Sequence, residues 1–522
     1  MLSAIETGFA GFLLRTVQVV VESSLYLLIG LLTAGALRAM AGPGRLRRLF
    51  GAGRWTGPVR AWAAATALLP VCALGVLPVL RELRRAGVSR PAVLTFALAA
   101  PMLNPISLVY GVSYLGPWVL AVLVLGAFFV SAGVGVAWGH LRPGDLVEGP
   151  AGDEVSVPAV GLRRVAAAAV HAAREATGST ARDVAAGVLA AGLVSALVST
   201  PYLAASEFAG DPLAVPRMTA VAPFAYASPD RGVTIVPEML KFRQSTGAMF
   251  VLIALGVGMT FGHLTWIARA YGVRSAALWF ALALGSTLAT AYAVDALIPP
   301  VGTPNADNDH FAALANPFEG QSGLSELPHA FRLYVEGVGA FQWFTCGVLF
   351  ALVLAGLALR ALGERGRFEA FLTPPSPVEA ESPTASTWNR PLPPRLVSAV
   401  GAGVILAVAV AGSYAYFPAP SEAFRDMQII KADFYGELSA PSPDAPLHHL
   451  DLWDRQAAKL PTGALIRFSG PGAEARRLTE ELRAGIRRLR DATGGGRRDE
   501  ARVTFVKLQA AYDRCKKAYG VR

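Results

Sequence analysis

The sequence predicts an all-α polytopic membrane protein: an inverted repeat with two re-entrant hairpins, about eight transmembrane helices and an extracytoplasmic helical bundle. The first observation is composition: 53% of the 522 residues are hydrophobic and only 16% are charged. That apolar surface is more than a soluble core hides, and it comes in blocks near bilayer length. The third observation is a faint internal repeat that places residues 100–116 over 256–272.

Eight apolar blocks are long enough to cross the hydrocarbon at about 1.5 Å of rise per residue. These blocks are 18–41, 91–113, 117–139, 183–205, 246–268, 275–298, 340–360 and 396–417. Two further stretches, 57–80 and 212–240, are apolar but interrupted by proline and glycine. The first of them has arginine clusters on both sides, so a simple crossing would put one cluster outside. A hairpin that enters and leaves on the cytoplasmic side keeps both clusters inside.

Positive charge on the inner side of the membrane then orients the remaining loops. The arginine-containing loop 140–182 falls inside, and the acidic loop 299–339 falls outside. The first unit becomes span, inner hairpin, span, span, and the second repeats that order with an outer hairpin. Lys241 and Arg243 are the exception to this assignment. Two inverted units are typical of a transporter whose site lies between them.

This topology divides the chain into six regions. They are a first membrane repeat (1–140), a cytoplasmic loop (141–182), a second membrane repeat (183–298), an external loop (299–339), two extra transmembrane helices (340–417) with a Pro-rich cytoplasmic linker at 364–395, and an extracytoplasmic helical bundle (420–522). In the last region, leucine and isoleucine recur at helical spacing between Leu478 and Leu489. A small four-helix bundle accounts for that pattern.

Two polar pairs fall at matching positions of the repeat. Asn104 and Ser107 lie over Thr260 and His263, and within each pair the spacing i, i+3 predicts one helical face. Polar groups at membrane depth face water or pair with each other. These four residues therefore line a substrate path, or they join helices through hydrogen bonds, and the sequence favours the second alternative slightly.

Prolines and a glycine interrupt both hairpins and the helix that follows the first, and such interruptions release backbone groups for binding a solute. They are Pro70, Gly75, Pro78, Pro101, Pro105, Pro223 and Pro229. Proline is also ordinary in membrane helices, but this clustering favours a functional role. Cys72 lies among these residues. Its thiol could be a ligand for a soft metal or metalloid, but the sequence favours a residue that only packs against apolar neighbours.

Other ionisable groups are weaker candidates. Glu22 and Asp295 lie near the outer ends of their spans. Either carboxylate could couple transport to protons, but solvation at the membrane interface is the favoured interpretation. The segment 307–310 carries oxygen ligands for a cation, but an exposed acidic loop is the better interpretation. The three cysteines have neither zinc nor disulfide spacing. We expect no metal, no cofactor, no nucleic acid and no enzyme activity, because no catalytic constellation is present.

The motifs Leu69-Pro-Val-Cys-Ala-Leu-Gly-Val-Leu-Pro78, Arg84-Arg-Ala-Gly87 and Pro101-Met-Leu-Asn-Pro105 resemble one known family. It is the predicted permease family that includes the organoarsenical efflux permeases, and the resemblance covers about residues 18–298. It implies a membrane permease, in the characterised branch an exporter of trivalent organic arsenic held by cysteine thiols. Family members often have two cysteines in this turn. Here only Cys72 is present, and Leu74 stands two residues after it where the second cysteine would be.

The C-terminal region is faintly similar to the cytochrome c-prime type of helical domain. That type attaches haem through Cys-x-x-Cys-His, but the corresponding stretch here is Cys515-Lys-Lys-Ala-Tyr519. The second cysteine and the histidine are missing, so we expect no covalent haem.

The predicted function is a bacterial inner-membrane permease that moves a small or metalloid solute by alternating access, in the export direction. The alternative is a non-transporting membrane scaffold that presents its C-terminal bundle to a partner. A transporter depends on Asn104 and Thr260, whereas a scaffold depends on residues 420–522.

Overall fold

The structure is a computed structural model. It describes residues 2–40, 43–51, 53–68, 70–104, 108, 111, 115–146, 163–199, 202–203, 208–241, 243–300, 314–318, 323–362, 414, 417–439, 447–467, 469–470 and 472–521. Throughout these residues the secondary structure is helical, with one isolated β-bridge between Phe208 and Gln244. The chain divides into two compact units, residues 1–111 with 115–396, and residues 112–114 with 397–522.

The first unit contains fifteen described α-helices. They are α1 (Leu2–Met40), α2 (Pro43–Phe50), α3 (Thr56–Leu68), α4 (Val76–Arg85), α5 (Arg90–Met102), α6 (Gly116–Leu141), α7 (Arg163–Ala176), α8 (Ser179–Leu197), α9 (Ala214–Val221), α10 (Pro229–Lys241), α11 (Thr246–Val251), α12 (Phe261–Tyr271), α13 (Val273–Leu297), α14 (Gly323–Gly337) and α15 (Ala340–Ala361). A π-helical stretch, Leu252–Val257, continues α11.

Five described helices are long and apolar enough to cross a membrane, by length and composition. They are Ile5–Ala39, Trp118–Leu141, Ser179–Leu197, Val273–Leu297 and Ala340–Ala361. A sixth candidate is the pair Thr246–Val257 and Phe261–Tyr271, which is bent by 53° at its break. The predicted all-α class is confirmed, and the described residues contain five or six candidate spans where the sequence predicted about eight.

Two of the predicted continuous spans are wrong in detail. Block 91–113 is not one helix, because α5 ends at Met102. Pro101 lies in its last turn, and Asn104 precedes Pro105, a position that disfavours helical backbone. Block 246–268 is interrupted by the π-helical stretch and by residues 258–260. Of block 396–417, only residues 414 and 417 lie within the described residues.

Two regions predicted as loops contain helices. Helix α7 lies in the predicted cytoplasmic loop 141–182, where an alanine-rich run supports helix formation. Helix α14 lies in the predicted external loop 299–339. The Pro-rich linker at 364–395 lies outside the described residues.

The core of the first unit is built around α5 and around α11 with its π-helical continuation. Every residue of α5 from Pro91 to Met102 is buried, and every residue from Thr246 to Val257 except Ile253 is buried too. A helix that is apolar all round is a helix that other helices surround. Each of these central helices follows two shorter helices, α3 and α4 or α9 and α10, which occupy the stretch that the sequence predicted as a hairpin. The hairpins therefore lie beside the most buried parts of this unit.

The second unit contains four described α-helices, α16 (Pro420–Ser439), α17 (Leu447–Ile466), α18 (Ala473–Gly494) and α19 (Arg498–Ala518). They share one apolar core that includes Phe424, Trp453 and Tyr512. The Tyr512 hydroxyl donates a hydrogen bond of 2.6 Å to the Phe424 carbonyl, which ties α19 to α16. The leucine and isoleucine spacing on α18 thus predicted its buried face correctly.

Candidate functional site at the hairpin tips

The first tip, residues 70–75, joins α3 to α4 and packs its backbone directly against α1. The Gly75 amide donates to the Cys72 sulfur at 3.3 Å, and Cys72 is fully buried. A Cβ atom on Gly30 of α1 would lie 1.9 Å from the Gly75 carbonyl oxygen. A Cβ on Gly75 would lie 2.4 Å from the Tyr26 carbonyl oxygen. Glycine at both positions is therefore what allows this close approach.

The second tip, residues 222–228, joins α9 to α10 and reaches the first tip. Tyr226 packs in one apolar cluster with Cys72 and Leu74, and its phenol is an electrostatic neighbour of the Cys72 thiol. The Ala227 amide donates to the Gly256 carbonyl at 3.1 Å, so this tip is also fixed to the π-helical stretch. The structure thus brings the two hairpin tips into contact.

The first helix break follows α5 and is fixed to the first tip. The Asn104 side-chain amide donates to the Val71 carbonyl at 3.3 Å, and Asn104 is fully buried. The prediction that Asn104 and Ser107 share a helical face is wrong for Asn104, which lies beyond the end of α5. Ser107 lies outside the described residues, as does Pro105.

The second helix break meets the first. A Cβ atom on Gly258 would lie 2.6 Å from Met102 Cγ, so the end of the π-helical stretch packs against the end of α5. Thr260 follows in extended backbone and is the N-cap of α12. The shared helical face predicted for Thr260 and His263 is wrong for this reason: Thr260 lies outside the helix, and His263 is the third residue within it.

His263 takes part in the helix cap. The Thr260 amide donates to His263 Nδ1 at 3.2 Å, so a neutral ring carries its proton on Nε2. Nε2 has no hydrogen-bond partner among the described residues, although the ring interacts with the Ala97 carbonyl of α5. Pro101 has no amide hydrogen with which to satisfy that carbonyl within α5. The ring also stacks on Trp279 at 6.0 Å between centroids.

Gly187 of α8 separates the first tip from the second break. A Cβ atom there would lie 2.7 Å from Leu74 Cδ2 and 3.1 Å from Thr260 Oγ1. Cys72, Asn104, Thr260 and His263 are therefore gathered around the tips and the breaks, and all four are buried.

The prolines have different positions within these elements. Pro78 and Pro229 lie in the first turns of α4 and α10, where the missing amide hydrogen would have had no helical partner. Pro70 and Pro223 lie in the tips, and Pro223 is buried. Only Pro101, among the described prolines of the predicted set, lies inside a helix at its C-terminal end.

A cluster of charged side chains beside the second tip was not predicted from the sequence. Arg15 and Glu22 of α1 are both buried, with 3.8 Å between guanidinium and carboxylate, and Arg231 of α10 lies 3.0 Å from Glu22. The preference for Glu22 as a solvated interfacial group is therefore wrong. Arg15 and Glu22 are seven residues apart, which puts both on one helical face, and that spacing was the available signal.

Asp295 has a structural role at the other end of the second hairpin. Its carboxylate accepts from the Gly247 amide at 2.6 Å and from the Thr246 hydroxyl at 2.8 Å. A carboxylate at this position satisfies the free amides at the start of α11 and the positive end of its dipole. Asp295 is thus half-buried at a helix N-terminus and is not simply solvated.

Within the described residues, no group of three or more His, Cys, Asp or Glu side chains is arranged to hold a metal ion. The cation ligands considered at 307–310 lie outside the described residues.

Known proteins show two similarities to this chain. The family described as "Predicted permease" matches residues 9–296. The UPF0718 protein YcgR of Bacillus subtilis (strain 168) is 31% identical over 92 residues, which is 18% of this chain and 31% of YcgR. The aligned part thus spans about a third of that relative. No solved structure matches the chain.

Proposed function

We propose, from the premise that this chain belongs to the family of predicted permeases, that it carries a small solute across the membrane between its two hairpin tips. The chain is an integral membrane protein, and its two tips meet in one buried cluster that contains Cys72, Leu74 and Tyr226. The contact between Cys72 and Tyr226 carries the proposal, because irregular backbone at membrane depth is tolerated where it is buried or lines a cavity.

The two halves of the membrane unit act as an inverted repeat in this proposal. In each half a helical hairpin precedes a buried helix, a break and a long helix, in the order α3–α6 and α9–α13. Ser89 and Ser245 precede the two buried helices at positions 156 residues apart. The hairpins enter from opposite sides of the membrane as re-entrant elements. One repeat rocking against the other then opens the tips to each side in turn.

Asn104 and Thr260 lie on the solute path at corresponding breaks, with His263 beside them. Because Asn104 and Thr260 lie outside regular helix, their backbone and side-chain polar groups change hydrogen-bond partners as the breaks move. Cys72 is the soft ligand of the first tip. A single thiol forms one As–S bond by replacing one hydroxyl of a trivalent organic arsenic compound, the thiol proton leaving with that hydroxyl as water, and Tyr226 closes the opposite side.

The direction of transport in this proposal is export through the inner membrane of a bacterium. The helical unit α16–α19 lies on the extracytoplasmic side, as the positive-inside assignment requires. The competing function, a scaffold that presents this unit to a partner, has no need of the tip contacts.

Cellular accumulation of trivalent methylated arsenic tests the proposal. Expression of the chain is expected to lower accumulation, and Asn104→Ala and Thr260→Ala are expected to reverse that effect at equal membrane levels. Cys72→Ser tests thiol ligation separately. Gly285→Ala is the matched control, because a Cβ there meets nothing within 4 Å.

Accumulation that stays unchanged with correctly inserted wild-type protein removes arsenicals as the solute. Lower accumulation that survives Asn104→Ala and Thr260→Ala contradicts the tip path. If a cellular function survives those changes and is lost on deletion of 420–522, the scaffold replaces the permease.

A further inference from the structure

The chain enters the unit α16–α19 at a point that is fixed to the end of α17. The Arg467 guanidinium donates to the Phe417 carbonyl at 2.5 Å and to the Tyr414 carbonyl at 3.0 Å. Its Cζ also lies 4.8 Å from the centroid of the Tyr414 ring. A Cβ atom on Gly463 would lie 2.3 Å from the Pro418 carbonyl oxygen, so the entering backbone packs closely against α17. This end of the unit is the entry end.

The predicted span 396–417 places the entry end next to the membrane. That block is apolar and of bilayer length, and it finishes at the residues that Arg467 binds. Tyr414 is 39% exposed, and tyrosine is typical of the membrane–water interface. Only Pro418 and Ala419 separate the block from α16, so the connection is too short to carry the entry end far from the bilayer.

The start of α18 and the end of α19 also lie at the entry end. Helix α18 begins at Ala473, six residues after Arg467. The hydroxyls of Thr479 and Tyr519 are 3.0 Å apart, which ties the end of α19 to the start of α18. Tyr519 packs in turn against Phe424 near the start of α16, with 6.0 Å between the ring centroids. All four helices therefore contribute to the entry end.

Four basic side chains at the entry end have no acidic partner. Arg476 and Arg477 lie in the first two turns of α18, and Lys516 and Lys517 lie in the last turn of α19. Three of them are exposed and Lys516 is half-buried. Among the residues that the structure describes, none of the four forms an ion pair within 4.0 Å.

Several other arginines of α18 and α19 are paired with carboxylates. The pairs are Arg483 with Asp454, Arg490 with Asp451, Arg497 with Glu500 and Arg514 with Glu481. Glu474 and Asp513 are exposed carboxylates near the four unpaired basic residues, so two positive charges remain in excess there. A surface with an excess of one sign of charge attracts partners of the opposite sign.

We propose that the entry end binds the phosphate groups of anionic phospholipids in the bilayer that anchors the chain. The guanidinium groups of Arg476 and Arg477 donate paired hydrogen bonds to phosphate oxygens, and Lys516 and Lys517 add compact positive charges. A bilayer surface is favoured over a soluble anionic partner, because the entering chain holds this end at the membrane. The inference depends on the predicted span 396–417, but not on the proposed solute path or on the side of the membrane.

Fluorescence quenching in the full-length protein tests this binding without any transport. The protein is reconstituted into nanodiscs of phosphatidylcholine alone or of phosphatidylcholine with phosphatidylglycerol, and a nitroxide on the lipid headgroup is the quencher. The fluorophore is attached to Ala518→Cys, an exposed position in the last turn of α19, in a chain with Cys346→Ser. Cys72 and Cys515 are fully buried and are kept.

The same fluorophore on Val503→Cys is the distal reference, because residue 503 is 55% exposed and lies about 22 Å from residue 518 along α19. Phosphatidylglycerol is expected to increase quenching at residue 518 and to leave quenching at residue 503 unchanged. High salt is expected to reverse the increase, since it screens charges at a surface.

Charge substitutions at matched positions sharpen the test. Each basic residue near an anionic surface shifts the docking equilibrium by about fivefold, so Lys516→Gln with Lys517→Gln is expected to lower the ratio of docked to undocked protein by about 25-fold. Lys516→Arg with Lys517→Arg keeps the charge and is expected to keep the quenching. Arg488→Gln with Arg502→Gln is the matched control, because both arginines are exposed and lie towards the other end of α18 and α19. It is expected to leave the quenching unchanged.

Three results would overturn the inference. They are equal quenching at residue 518 in the two lipid compositions, full quenching after all four basic residues are replaced by glutamine, and an equal loss of quenching in the matched control. Loss of arsenical efflux bears on the proposed function alone. Quenching that depends on phosphatidylglycerol in a protein with no measurable transport would uphold the lipid contact and leave the permease unsupported.

Discussion

Gly30→Ala is expected to disturb the contact between α1 and the first tip. The new Cβ would lie 1.9 Å from the Gly75 carbonyl oxygen, and ordinary contact begins at 3.4 Å. The two backbones must therefore separate by about 1.5 Å at this point. Both partners are main chain, so no side-chain rotation relieves the clash. Overpacking of this kind costs about 1–3 kcal/mol.

The assay is thermal unfolding of the detergent-purified protein, with Cys72 alkylation measured by peptide mass spectrometry. Gly30→Ala is expected to lower the melting temperature by several degrees and to increase the alkylation rate of buried Cys72. Gly285→Ala, with open space around its Cβ, is expected to stabilise α13 by about 0.5–1 kcal/mol. Equal melting temperatures and equal alkylation rates for the two variants would refute the tight packing of this tip.

Three further predictions each concern a single residue. Asp183→Asn is expected to lower stability by about 1–3 kcal/mol, because buried Asp183 pairs with Arg269 and accepts from Thr265; an unchanged melting temperature would contradict this. Burial raises the pKa of the Cys515 thiol from 9.0 to about 11, so the unfolded state loses its proton first and the unit α16–α19 loses stability as pH rises from 9 towards 11. Circular dichroism at increasing pH measures that loss, and constant stability would contradict it. Val503→Cys, 55% exposed, is expected to react with a membrane-impermeant maleimide in intact spheroplasts, and reaction only after lysis would place this unit inside.

The sequence was sufficient for the elements whose pattern is local. Apolar blocks of bilayer length predicted α1, α6, α8, α13 and α15, and proline-containing stretches marked the connections between α3 and α4 and between α9 and α10. The leucine spacing on α18 likewise gave its buried face. Each of these features depends only on neighbouring residues in the chain.

Features that depend on distant partners were beyond the sequence pattern. The pairing of Glu22 with Arg231 joins α1 to α10, and no local periodicity predicts it. The break at Thr260 did leave a local signal, since a threonine followed three residues later by His263 resembles a capping box. The apolar residues on both sides of the break led to the prediction of one continuous span, and the capping signal was therefore not used. An apolar block is thus weaker evidence for a continuous helix than for burial.

Reversible cross-linking of the two tips tests whether the solute passes between them. In a chain with Cys346→Ser and Cys515→Ser, Tyr226→Cys is oxidised with native Cys72, and cellular accumulation of trivalent methylated arsenic is measured before and after reduction. We predict that Cys72 cross-links to the cysteine at position 226, that accumulation then equals that of cells without the protein, and that reduction restores efflux. Two thiols that alkylate after denaturation but never cross-link would contradict the meeting of the tips. A complete cross-link with unchanged efflux would contradict their role as the solute path.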